Sequence, residues 1–393
     1  MTSNRGVTLA LLLLSHATAR AEMRAWTDSA GRAFNAEFQR MEGSSVVFTM
    51  EGGRTLAIPL TNLSAADQAR AQATPAAAPA SSAAAAARLN FGYAWPTEIR
   101  MDATSQTKVV SEDTKINRFI YESTNYRFTC NVRLTPDVLR NFAMMFETTR
   151  KYTTSVPLSL DGGIQRQGRY DILLFESAGQ YIAAGGPQGS AACYVPSSGV
   201  VMAPMQSVGL VRTGTGFGLD TSATSAVLIH ELTHQLTPSS YLVSTLNNGW
   251  LVEGLAEYIS STPYSWGYFR PDPQGNAVLS YVTARGENGK GGRALGTKLR
   301  MPRLQRFMQM PYQDFSGANA NLNYGVGLLL THYFLHMEGG GKSTRVTNYL
   351  KGLRAGQTGD QALAPLLGGS SYEKLEADFA GAWRRKGIEI VFE

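Results

Sequence analysis

An α+β fold in two folding units is what this 393-residue sequence predicts, on three observations. Residues 22–70 alternate short β-type runs with Gly-containing turns. Residues 71–88 are nearly all Ala, Pro and Ser. From residue 89 onward, strand-like segments come first and a mainly helical half follows residue 220. A hydrophobic content of 43% with 17% charge describes a globular chain, long enough for two or three domains and at least one sizeable core. The formal charge of +6 is mild for this length, and no run of Lys or Arg marks a nucleic-acid track.

The elements follow in order. Arg5 precedes an apolar run from Val7 to Leu14, and small residues at Ala17, Ala19 and Ala21 offer Ala-x-Ala cleavage. We expect residues 1–21 to be a signal peptide and the chain to be exported, whether periplasmic, cell-surface or secreted. An uncleaved N-terminal anchor is the alternative. The run is too short to span a bilayer comfortably, and no later segment reaches spanning length, so no integral membrane span is expected after cleavage. Residues 22–70 place "SSVVFTM" and "RTLAIPL" on either side of a Gly-Gly turn, as in a hairpin. Together with "WTDSAGRAFNAEF" and "IPLTNLSAADQ", this stretch resembles the small homology domain first described in a yeast endocytic adaptor. The resemblance implies a small β-barrel, Src-homology-3-like, with its own ligand or tethering role. Residues 71–88 have no apolar stripe to bury and read as a linker.

The main domain is expected over residues 89–393. "ESTNYRFTCNV" and "YDILLFES" read as strands, and "CYVPSSGVVMAP" as a strand pair. "TPDVLRNFAMMFETTRKYTTSV" is a helix with Thr135 as cap and Pro136 at its first position. "AGGPQGSAA" lacks the Lys and spacing of a phosphate-binding loop and reads as a turn. "SSYEKLEADFAGAWRR" is the last clear helix, where Ser370 and Glu373 fit a capping box. Two cysteines, Cys130 and Cys193, can either pair or stay as buried thiols in an exported chain.

The chemistry concentrates in "TSATSAVLIHELTHQLT". This stretch reads as a helix that Thr221 or Ser222 can cap and that ends before Pro238. His230 and His234 are four apart and so share one helix face. Two imidazoles can then meet one metal ion, while Glu231, about 100° around, reaches water beside it. Val227, Leu228, Ile229, Leu232 and Leu236 surround the trio, and unpaired ionisable groups in a buried helix would be costly. Eighteen residues separate His234 from Glu253, in "NNGWLVEGLAEYIS", a second expected helix with Asn248 as cap. Two histidines and one glutamate leave a fourth Zn²⁺ position open, as catalytic zinc requires. A second pair, His332 and His336, has no acidic residue between and lies toward a helix C-terminus, which favours structural histidines.

H-E-x-x-H, eighteen residues, then Glu within "WLVEGLAEY" resembles the gluzincin zinc metallopeptidases, the broad group of thermolysin and aminopeptidase N. "YDILLFESAGQYIAAGG" and a later Tyr-containing helix extend the likeness to a bacterial family of unknown substrate. The resemblance implies a thermolysin-like zincin domain, with a mixed sheet packed on the active-site helix and a helical second lobe. It implies Zn²⁺ on His230, His234 and Glu253, and a peptide or protein substrate. Glu231 would be the general base, and Glu257, one turn after Glu253, would orient a zinc histidine. The transition-state tyrosine has no motif; Tyr324, in "NLNYGVGLLLTHYFLHMEG", is our candidate. The Gly-x-Met-Glu-Asn element of aminopeptidase N is missing, so we expect an endopeptidase. "SGVVMAP" is expected at a sheet edge, receiving substrate by strand addition. The alternatives are a zinc-stabilised binding protein without turnover and a scaffold whose function sits in the first unit.

Overall fold

The structure of the protein is a computed structural model. It describes residues 23–42, 45–50, 55–73, 89–101, 106–213, 216–219, 225–242, 247–284 and 292–393. The signal segment, most of the linker and the caps Thr221 and Ser222 lie outside the described residues. The chain divides into two compact units, Met1–Arg88 and Leu89–Glu393.

In the first unit, β1 (Arg24–Thr27), β2 (Ala33–Glu42), β3 (Ser45–Met50) and β4 (Thr55–Pro59) make one antiparallel sheet in the order β1-β2-β3-β4. The hairpin around the Gly-Gly turn is β3 with β4. Trp26 fills the core against Phe48, ring centroids 4.7 Å apart, and its indole N–H donates to the Ala36 carbonyl. The expected barrel does not close among the described residues. "SAADQAR", within the stretch that carries the resemblance, is helical, as α1 (Ala65–Ala73). The outer edge of β1 is satisfied by that helix and its lead-in. Thr27 N–H donates to the Asp67 carboxylate at 2.8 Å, and Ser64 N–H donates to the Thr27 carbonyl at 2.9 Å. Those contacts take the outward N–H and C=O of Thr27, the last residue of β1.

In the second unit, six strands form the main sheet. They are β5 (Lys108–Asp113), β6 (Arg118–Glu122), β7 (Tyr126–Cys130), β8 (Tyr170–Phe175), β9 (Cys193–Val195) and β10 (Val200–Pro204), in the order β9-β10-β8-β7-β6-β5. β7, β8 and β10 run parallel, and the rest are antiparallel. In "YDILLF", Tyr170, Ile172 and Leu174 alternate into the main core. That core is shared with α2 (Pro136–Ser155), where Thr135 does accept from Val138 N–H at the cap. Leu173 and Phe175 face the other way, onto Tyr181 of α3 (Ala178–Ala183). "VVMAP" is an interior strand, fully buried between β8 and β9, so "SGVVMAP" is not the edge we expected. Its parallel pairing with β8 buries both faces. The edge on that side is β9.

The sheet also separates the cysteines. Cys193 lies in register with Met202, then Leu173, then Thr129, the neighbour of Cys130. Three strand spacings amount to roughly 14 Å, beyond disulfide reach. Both thiols are free.

The helical half is α4 (Ala226–Leu236), α5 (Gly249–Ser261), α6 (Asn276–Thr283), α7 (Ala320–His332), α8 (Thr344–Arg354), α9 (Gly359–Leu367) and α10 (Tyr372–Arg384). α5 and α7 pack very closely through two glycines. A Cβ on Gly254 would stand 2.5 Å from the Gly327 carbonyl oxygen, and one on Gly327 would stand 3.0 Å from the Trp250 carbonyl. Asn248 does occupy the cap position of α5, but its side chain accepts from Tyr349 O–H at 2.6 Å rather than capping. α10 is capped by Ser371, not by the Ser370–Glu373 box. Ser370 N–H still closes the turn after α9, onto the Leu367 carbonyl, so the first extended residue is Ser371.

Candidate metal centre

α4 is sunk into the core by Leu228, Ile229, Leu232 and Leu236, and it presents its polar face to α5. His230 and His234, one turn apart, point their Nε2 atoms at each other across 3.0 Å. Glu253, on α5, brings Oε2 to 3.1 Å from His230 Nε2 and 3.3 Å from His234 Nε2. A tetrahedron with metal–ligand bonds of about 2.0 Å has edges of about 3.3 Å. The three donor atoms are therefore spaced as one face of such a tetrahedron would be, and could hold a metal ion. Among the described residues, this is the one group of three metal-ligating side chains gathered so closely.

The tautomer of His230 agrees with that use. Its Nδ1 lies 2.9 Å from Glu257 Oε1. An ionised carboxylate only accepts, so Nδ1 carries a proton, and in the neutral ring the lone pair is on Nε2. Glu257 is itself held by Arg293, with Nη2 at 2.5 Å and Nε at 2.9 Å. Burial raises the Glu257 carboxyl, but His230 and Arg293 outweigh it and hold it at about 2. Burial likewise resists ionisation of Glu253, yet His234 and His230 hold it well below the usual carboxylate range. Burial opposes charge on His230, and the carboxylates of Glu253 and Glu257 lift the ring to about 10. Proton and metal would thus compete for the same Nε2, as in any histidine metal site.

Two aromatic rings close the site. Tyr324, in the first turns of α7, lies nearly parallel to the His230 ring at 6.3 Å, with the Arg293 guanidinium 4.9 Å from its centre on the ring face. Tyr312, in a single helical turn Tyr312–Phe315, donates its hydroxyl to Glu253 Oε1 at 2.7 Å. Glu231 stays out of the donor triangle. Burial raises the Tyr324 and Tyr181 hydroxyls and the Cys193 thiol, and the Glu231 charge adds to each.

His230, His234 and Glu253 converge, Glu257 meets His230 Nδ1, and the Tyr324 ring lies near that of His230, while Glu231 is not among these donors. Sequence reasoning missed Arg293 and Tyr312. They arrive from segments without periodicity, "GGRALG" and "MPYQDF", at separations no motif records.

His332 and His336 lie elsewhere, without carboxylate partners. His336 Nε2 meets the Tyr258 hydroxyl at 2.7 Å, and the His332 ring packs on Trp383. Burial pushes His332 down to about 4, against a raising contribution from Asp272, and burial with the neighbouring His332 pushes His336 to about 3. A histidine depressed in the folded state contributes stability above its unfolded value near 6.5 and loses it as pH falls through the folded one. Stability should therefore fall between pH 6.5 and about 4, by roughly 3 kcal/mol from His332 at full protonation. Urea midpoints across that range check this. His332→Leu should flatten the slope, and an unchanged slope would remove the assignment.

No protein-family model matches the chain, and no curated protein matches it either, so what the site can do is read from its own donor atoms.

Proposed function

We propose that the protein is an exported zinc-dependent peptidase that cuts within peptide chains. The observation that carries this is the triangle of His230 Nε2, His234 Nε2 and Glu253 Oε2, with edges of 3.0, 3.1 and 3.3 Å. Zn²⁺ held there would polarise a peptide carbonyl and acidify water to a pKa of about 7. Glu231, adjacent to the first ligand, takes the proton of the attacking water and returns it to the leaving amine. Glu257 keeps His230 in the tautomer that offers Nε2. β9 is the edge strand beside α4, and an extended peptide can add to it by main-chain hydrogen bonds. Tyr324 borders the space where the carbonyl oxygen would develop charge. The thermolysin-like arrangement of sheet, active-site helix and helical half belongs to the same proposal. Export rests on the leader-like run at Val7–Leu14.

The test is direct. Purified wild-type protein should carry one zinc per chain by elemental analysis and should cleave a mixed peptide library. A chelator should abolish cleavage and added Zn²⁺ should restore it. His230→Ala or His234→Ala should lose the metal. No zinc after reconstitution would sink the reading, and zinc without cleavage would leave a zinc-stabilised binding protein.

A further inference from the structure

Resting on the zinc reading, we propose that Tyr312 is a positioning residue that makes Glu253 a one-oxygen ligand. A carboxylate has two oxygens, and a buried one left to itself can offer either or both to a metal. Here the two are differentiated. Oε2 faces the histidine nitrogens at 3.1 and 3.3 Å, and Oε1 accepts the Tyr312 hydroxyl at 2.7 Å. The phenol must be the donor, because an ionised carboxylate has no proton to give. A hydrogen bond to a charged acceptor is among the stronger ones.

The turn that carries Tyr312 is itself held in place. Phe315, fully buried, presses on the first residue of α5, where a Cβ on Gly249 would stand 2.7 Å from the Phe315 ring. The Phe315 carbonyl accepts from Asn323 Nδ2 at 2.8 Å, which ties the turn to α7. The donor is thus pinned to the helix that bears Glu253 and to the helix that bears Tyr324. Holding Oε1 back keeps the coordination number low and leaves the fourth position for water and substrate. Without the hydroxyl, Glu253 can swing to bind with both oxygens and crowd that position.

The experiment uses the full chain with Zn²⁺ and with Co²⁺ as a spectroscopic probe. Tyr312→Phe should weaken zinc 10- to 100-fold in competition with a chelator, the range for residues that orient ligands. Its Co²⁺ form should show weaker visible bands than wild type, because absorption falls as coordination rises from four to five. Peptide turnover should fall mainly in kcat. Tyr312→His, which keeps a ring donor, should recover part of the metal affinity, and it decides the matter if the Phe variant does not fold. Wild-type affinity and an unaltered Co²⁺ spectrum in Tyr312→Phe would overturn the proposal while the zinc reading stands. A wild type that binds neither ion would overturn both.

Discussion

Glu231→Gln is expected to keep one zinc per chain and to lose peptide hydrolysis by at least 10²- to 10⁴-fold, the usual contribution of a positioned general base. The two halves of this expectation come from different parts of the site. Metal is kept because Glu231 is not among the three converging donors. Turnover is lost because an amide cannot take the proton of water. The substitution is nearly isosteric, so α4 should fold unchanged. Glu253→Gln should do the reverse and weaken zinc first. It removes the charged member of the triangle and alters the acceptor that Tyr312 O–H uses. Elemental analysis and single-turnover cleavage on the same preparations separate the two. If Glu231→Gln lost the metal and Glu253→Gln kept it, the roles of the two carboxylates would have to be exchanged.

Legibility in the sequence followed the range of the interaction. His230 and His234 were visible because helical geometry alone puts residues four apart on one face. Glu253 and Glu257 entered through the resemblance, whose spacing of eighteen residues and i+4 acidic residue they match. Strands such as "YDILLF" were visible through their alternation. Contacts between distant segments left no such trace. Arg293 reaches Glu257 across 36 residues and Tyr312 reaches Glu253 across 59, each from a short irregular stretch. The order of strands is equally non-local. "VVMAP" looks the same as an edge or as an interior strand, and only its parallel pairing with β8 decides. In the first unit, "SAADQAR" coils into α1, and Ser64 and Asp67 cap it: Asp67 N–H donates to Ser64 Oγ, and the Asp67 carboxylate takes the amide of Thr27.

Arg293→Met should destabilise the metal-free protein by about 3 kcal/mol, the low end of the range for stripping one partner from a buried ion pair. The low end applies because the Arg293 side chain is 21% exposed, whereas Glu257 is 1% exposed. The cost comes from what is left behind. Glu257 would lose both guanidinium contacts and keep its contact with His230 Nδ1–H. Methionine fills much the same space, so packing loss is a smaller part. Arg293→Lys should not rescue it, since an ammonium cannot make the two parallel bonds of a guanidinium. Glu257→Gln should rescue part, because removing the stranded charge removes the penalty. The double variant Glu257→Gln, Arg293→Met is then expected to be more stable than the sum of the singles, by more than about 1 kcal/mol. Urea unfolding after chelation keeps metal binding out of the measurement, and a constant m-value keeps the comparison valid. Additive losses would mean that Arg293 stabilises through its packing over the Tyr324 ring rather than through Glu257. In that case His230 would be held in its tautomer by Glu257 alone, and zinc affinity in Arg293→Met should equal that of wild type.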